Sequence, residues 1–132
     1  MTERLILGQV LCLDADPSRT GPEAARHERH GAVRIRDGRI AEIGPADTLR
    51  AAHPDLPVTD HGRDLILPGF VDAHAHYPQT AIIASWGKRL IDWLSSYTFP
   101  EEMRFADPAY AAEVAERYLD LLLAHGTTTV CS

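Results

Sequence analysis

The chain has 132 residues, the size of one ordinary domain, and 45% of them are apolar, enough to build a core. Its net charge is −6, and its 13 Lys and Arg are scattered with no aromatic stripe between them, which argues against a nucleic-acid partner. Cys12 and Cys131 lie far apart and outside any CxxC pair, so a disulfide framework is excluded. With no signal-peptide pattern and no apolar run near the ~18 residues a membrane helix needs, the reading is a cytoplasmic protein without a membrane partner.

Residues 4 to 13 are apolar and extended and predict a strand with Gly8 inside it. Residues 14 to 31 are polar and broken by Pro17, Gly21 and Pro22, which predicts a loop. Ala32–Arg36 and Arg39–Ile43 flank Asp37-Gly38, the pair that best accepts positive φ at both turn positions, so a hairpin is expected. A strict two-residue turn would set Val33 opposite Glu42, which calls for a bulge or an edge position. Residues 46 to 52 predict a short helix stopped by Pro54. Residues 64 to 73 read as a further extended segment interrupted by Pro68-Gly69. The first 65 residues thus form a small β-rich unit that is short of strands on its own.

From residue 66 the pattern becomes strand, helix, strand. Phe70 to His76 predicts a strand, and Leu90, Trp93, Leu94 and Tyr97 recur at helical spacing. Asp107-Pro108 opens a helix with an Asp cap and proline at the first position. Ala111, Val114, Ala115, Tyr118, Leu122 and His125 line one face of it, and Gly126 sits where a C-terminal cap belongs. Thr127 to Cys131 predicts the next strand. Such a βαβ unit implies a parallel sheet, which needs cover on both faces. The chain therefore reads as a portion of something longer. The expectation is exposed apolar surface along Val114, Tyr118 and Leu122, or on the faces of the two strands.

The chemistry concentrates in Pro68-Gly69-Phe70-Val71-Asp72-Ala73-His74-Ala75-His76. Residues two apart on a strand share a face, so His74 and His76 present two imidazoles together, with Asp72 in phase one step earlier. Two such nitrogens can converge on one metal ion at about 2.0 to 2.1 Å. Chance pairing on a half-exposed strand is the bland alternative. The position at the C-terminal end of an apolar strand, where parallel α/β folds build their sites, favours the metal. His27 and His30 fall in the polar loop, and His53 and His61 flank turns. His125 is accounted for by the helix dipole, and Cys131 reads as a buried strand residue with no base to activate it.

Leu67-Pro68-Gly69-Phe70-Val71-Asp72-Ala73-His74-Ala75-His76 resembles the first barrel strand of the amidohydrolase superfamily. The Val33–Ile40 hairpin resembles that superfamily's small β-domain, and Gly126-Thr127-Thr128-Thr129 its second barrel strand. His76-Tyr77-Pro78-Gln79, Asp92-Trp93-Leu94 and Tyr97-Thr98-Phe99-Pro100 narrow the resemblance to the guanine deaminases within it. The resemblance implies an α/β fold: the start of a (β/α)8 TIM-like barrel at residues 66–132, preceded at 1–65 by part of a composite β-sandwich. It implies one metal ion per site, usually zinc with iron the alternative, and hydrolysis of guanine to xanthine and ammonia by a full-length homodimer.

By resemblance His74 and His76 match the first two metal ligands, and His76 and Gln79 line the guanine pocket. Trp86 is the better aromatic pocket candidate, since Trp93 is also explained by helix packing. A third histidine, an aspartate and a proton-shuttling glutamate belong to later strands, so the isolated chain is expected to be inactive. The alternatives are a related hydrolase of another N-heterocycle, such as a triazine or pterin, and a non-catalytic remnant binding a metal or a partner.

Overall fold

The computed structural model describes residues 2–87 and 89–132. The chain divides into two compact units, Met1–Pro68 and Gly69–Ser132. The expected boundary after residue 65 falls inside a strand, and the first unit runs on to Pro68.

The first unit contains β1 (Glu3–Leu13), α1 (Pro17–Thr20), a 3-10 turn (Pro22–Ala24), β2 (Ala25–Arg36), β3 (Arg39–Pro45), α2 (Ala46–Ala52) and β4 (Val58–Ile66). The strands form one sheet in the order β3-β2-β1-β4, with β2 antiparallel and β4 parallel to β1. Residues 25–31 are strand, where the sequence predicts a loop. Leu13 pairs with Ala25, Leu11 with His27 and Val10 with Glu28. Backbone pairing to the apolar β1 outweighs the polar composition of this stretch, because the ladder satisfies its N–H and C=O groups whatever side chains point to water. Likewise β4 begins at Val58 rather than at residue 64. It pairs first through Leu5–Val58 and, after a register slip spanning Gly62 (φ 59°), through Gln9–Leu65.

The hairpin forms as the sequence predicts, with Asp37 at φ 50° and Gly38 at φ 75°. A bulge after Arg34 pairs Val33 with Ile43 and Arg34 with Glu42, so the apolar residues share a face. The core of this unit is Leu5, Leu7, Ala32 and Leu49, with Ala46 and Leu56 packed against it, so α2 covers one face of the sheet. Gly8 allows a close approach: a Cβ there would lie 2.8 Å from Ile66 Cδ1 and 3.0 Å from the Asp64 carbonyl.

The second unit contains β5 (Phe70–Asp72), a 3-10 segment (Tyr77–Ile82), α3 (Leu90–Trp93), a π turn (Leu94–Thr98), α4 (Phe99–Met103), a 3-10 turn (Arg104–Ala106), α5 (Pro108–Ala124) and β6 (Thr127–Val130). β5 and β6 pair in parallel, so one βαβ unit is present. The π turn precedes Pro100, which has no N–H to continue an α-helical ladder, and the widened turn absorbs the mismatch. Asp107 caps α5 by accepting a hydrogen bond from Ala109 N at 2.9 Å, and Gly126 follows the helix at φ 81°. Gly69 lies against β6, where a Cβ would run into the Thr128 side chain, 2.8 Å from its Cβ.

The expected apolar exposure falls on the strands. Val114 is buried, and Tyr118 and Leu122 are half-buried, whereas Phe70 and Val71 of β5 are 56% and 69% exposed. On α5 the exposed apolar residues are Leu119, Leu121 and Leu123. Among the described residues no helix is long and apolar enough to cross a membrane.

Candidate functional site

The two histidines lie just past the C-terminal end of β5, which is shorter than the predicted strand to residue 76. The ladder is nevertheless extended here by isolated bonds. Cys131 N donates to the Asp72 carbonyl at 2.9 Å, Ala75 N to the Cys131 carbonyl at 3.0 Å, and Tyr77 N to Ser132 Oγ at 2.9 Å. Residues 73–77 are thereby pinned along the C-terminal end of β6, where parallel α/β folds place their sites.

In this pinned segment His74 Nε2 and His76 Nε2 converge to 2.9 Å, their rings edge to face with centroids 4.9 Å apart. At this distance one ring N–H can also donate to the other ring's nitrogen, so the contact serves as a hydrogen bond when no ion is held. A separation of 2.9 Å lets both nitrogens lie at the roughly 2.0 to 2.1 Å that suits a zinc ion, so the donor set fits a metal. Asp72 does not join them. Its Oδ1 accepts the His74 backbone N–H at 3.1 Å, orienting the first histidine's backbone rather than facing an ion. Among the described residues no third His, Cys, Asp or Glu completes the set.

His76 also lines a cleft of about 280 Å³ with Gln79, Thr80, Ser85, Trp93 and Tyr118, close to the lower end of the ~300–1,000 Å³ typical of ligand clefts. Gln79 is held at both ends, its backbone N–H donating to the His76 carbonyl at 3.0 Å and its Nε2 to Glu102 Oε1 at 3.1 Å. Trp86 is 82% exposed and outside this wall, and Trp93 supplies the aromatic surface. The helical spacing that explains Trp93 by packing does not prevent it from also facing the cleft. Tyr118 went unrecognised in the sequence because it continues the α5 stripe. Its hydroxyl is buried with no hydrogen-bond partner among the described residues. A tyrosine in an otherwise apolar stripe was the available signal, since a buried O–H needs a partner.

On α4, Glu101 is buried. It accepts from Arg104 Nη1 at 2.9 and 3.3 Å and from the Tyr110 hydroxyl, and the Arg104 guanidinium sits 3.8 Å over the Tyr110 ring. Burial pushes the Glu101 carboxyl up, but the hydrogen bonds from Tyr110 and Arg104 and the Arg104 charge bring it below its ordinary value. The bond to Glu101 raises the Tyr110 phenol, with burial and the Glu101 charge adding to it.

The other candidates stand apart from this site. His27 and His30 lie on β2, and His53 Nε2 is 3.4 Å from Glu42. His125 Nδ1 lies 2.8 Å from the Leu121 carbonyl at the C-terminus of α5, as the helix-end reading expects. Cys131 is exposed just past β6, not buried within it.

The parallel βαβ start carries an HxH pair at its strand end, and residues 65–132 match the amidohydrolase family. The chain belongs to that family. Residues 31–55, which run from the end of β2 through β3 and α2, match an imidazolonepropionase-like composite domain of bacteria.

The chain is similar to a probable guanine deaminase of Deinococcus radiodurans, 42% identical over 82% of this chain and 26% of that protein. The crystal structure of guanine deaminase from Bradyrhizobium japonicum superposes with a TM-score of 0.89 at 38% identity, covering 98% of this chain and 29% of that one. Guanine deaminase from C. acetobutylicum with guanine bound in its active site superposes at 0.79 with 27% identity, covering 98% of this chain and 29% of that one. The chain thus spans less than a third of the length of these relatives.

Proposed function

We propose that residues 1–132 belong to a guanine deaminase, with His74 and His76 as two ligands of a zinc ion. Their Nε2 separation of 2.9 Å, with His76 lining a cleft that also holds Gln79, is the observation that carries this reading. The guanine-bound relative supplies the substrate by similarity. Guanine plus water gives xanthine plus ammonia: the oxygen of water takes the place of the exocyclic amino group, which leaves with a proton. Zinc, when bound, supplies the chemistry that makes water a nucleophile near pH 7.

The residues of this chain bind and orient. His74 and His76 hold the ion at the strand end. Gln79 offers a carboxamide to the edge of the base, and Trp93 offers an aromatic wall in the place expected of Trp86. His76 stands at both the ion and the base. Zinc as the metal, a cytoplasmic location and a homodimer of the full-length chain are parts of the same proposal.

A chimera tests it. Residues 1–132 replace the matched stretch of the Bradyrhizobium japonicum enzyme, and ammonia release from guanine is measured with zinc. Activity is expected, and loss on the order of 100-fold or more in His74→Ala and His76→Ala, since each removes a metal ligand. A well-folded chimera whose activity survives both substitutions refutes the metal assignment. The 132-residue chain alone is expected to release no ammonia above background.

A further inference from the structure

Gln79 is chemically ambiguous: its side chain presents an acceptor at one end and two donors at the other, and which end meets a ligand decides what the ligand must offer. The structure resolves this through Glu102, whose Oε1 lies 3.1 Å from the Gln79 amide. An ionised carboxylate only accepts, so the Gln79 group 3.1 Å from Glu102 Oε1 has to be the amide nitrogen. The opposite end of the same planar group is then the carbonyl oxygen.

Three contacts make this orientation more than one rotamer of a surface side chain. The Gln79 backbone is fixed by its bond to the His76 carbonyl at 3.0 Å, and the same segment is tightened by Thr80 Oγ1 donating to the Tyr77 carbonyl at 2.6 Å. Glu102 in turn sits on α4, next to the buried Glu101 that Arg104 and the α5 residue Tyr110 hold. Anchoring Glu101 inward fixes the rotation of the helix and turns the following residue to another face, where it meets Gln79.

We infer that Glu102 is a positioning residue. It holds the Gln79 carboxamide so that its carbonyl oxygen meets the ligand, selecting a heterocycle that offers an N–H donor on that edge. This rests on the reading of the cleft as a purine site and deepens it. A guanine has such N–H groups, whereas a base turned to present a bare ring nitrogen would meet lone pair against lone pair.

The chimera that carries residues 1–132 in place of the matched stretch serves for the test. The Gln79 side-chain amide is followed by 15N NMR, its signals identified by their loss in Gln79→Ala, and guanine is titrated in the presence of zinc. The parent is expected to show a motionally restricted Gln79 amide. Glu102→Ala frees it and weakens guanine about tenfold, the loss of one charge-assisted hydrogen bond in orienting the ligand, with zinc affinity unchanged.

Glu102→Gln keeps an acceptor oxygen and so keeps the restriction, but it also permits the reversed pairing, and guanine weakens by less. An amide equally mobile in parent and Glu102→Ala, or guanine bound equally by both, overturns the positioning role. An amide that is restricted in the parent and freed in Glu102→Ala, in a well-folded chimera that shows no affinity for guanine, upholds the positioning and strikes the guanine reading instead.

Discussion

The two units spend their apolar residues in opposite ways. In the first, Leu5, Leu7, Val10, Cys12, Ala24, Ala32, Val33 and Leu49 are buried, whereas among the described residues of the second only Val114 joins the buried apolar set. Yet every Phe, Trp and Tyr of the chain lies after residue 69. None of these large side chains is fully buried, and Phe70, Trp86 and Phe99 are all more than half exposed. Beside Val114, what is buried there is polar: Thr98 and Glu101. The first unit is held by packed aliphatic side chains. The second is held by helix caps, an ion-pair network and short stretches of ladder, and it carries the groups with chemistry. Burial that stabilises a core cannot also leave side chains free to meet a ligand.

The largest effect expected from this contrast is Leu5→Ala. Leu5 is fully enclosed, so the substitution should cost about 2–5 kcal/mol. Because Trp86 and Trp93 both lie in the second unit, tryptophan fluorescence reports only that unit, while far-UV circular dichroism reports both. In urea, the dichroism transition should fall to lower denaturant with the fluorescence transition unmoved. If both move together, the units unfold as one block and the separation of roles is overstated.

The sequence makes legible whatever is decided locally. Asp37-Gly38 fixes the hairpin because few other pairs accept two positive φ angles, and Asp107-Pro108 and Gly126 delimit α5 because caps are short-range chemistry. The HxH pair is visible because its spacing alone sets two imidazoles together. Features decided by long-range pairing are not legible. Residues 25–31 look like a loop until β1 is laid beside them, and β4 starts early for the same reason. The partner of Gln79 lies 23 residues away on another helix, a distance that no periodicity reveals. Asp72 shares the phase of the histidines, but its carboxylate finds a nearer backbone N–H, a local competition that is characteristic of Asp and invisible to spacing.

A smaller effect is expected at the start of α5. Asp107 satisfies the otherwise orphaned N–H of Ala109, and Asp107→Ala should cost about 1 kcal/mol. The loss should appear in the fluorescence transition, since α5 lies in the second unit. Asp107→Ser, which retains a capping oxygen, should recover most of it. No loss in Asp107→Ala would mean that packing of Val114, not the cap, holds the helix start.

The smallest effect separates the units by pH. Glu101→Gln keeps an oxygen to accept from Tyr110 and Arg104 but removes the charge. Since the Arg104 side chain is 55% exposed, the change at neutral pH should be only about 0.5 kcal/mol. The sign is more informative than the size. The folded carboxyl titrates below its ordinary value of 4.5. The folded state therefore holds fewer protons than the unfolded chain as pH falls through that range. The stabilisation from this group is present above the unfolded value and is lost as the pH drops through the folded one. The parent should lose fluorescence-detected stability on acidification below about 4.5, and Glu101→Gln should lose less over the same window. Tyr110 works in the other direction. Its phenol is raised above 10.0 in the fold, so in the parent its contribution is present below that value and is lost as pH rises through the folded one. Glu101→Gln, which lacks the carboxylate that raises it, should show less of this loss. The aliphatic core of the first unit has no carboxylate inside it to respond in either window. An acid transition that is identical in Glu101→Gln and parent would show that the network around Glu101 does not hold the second unit against acid.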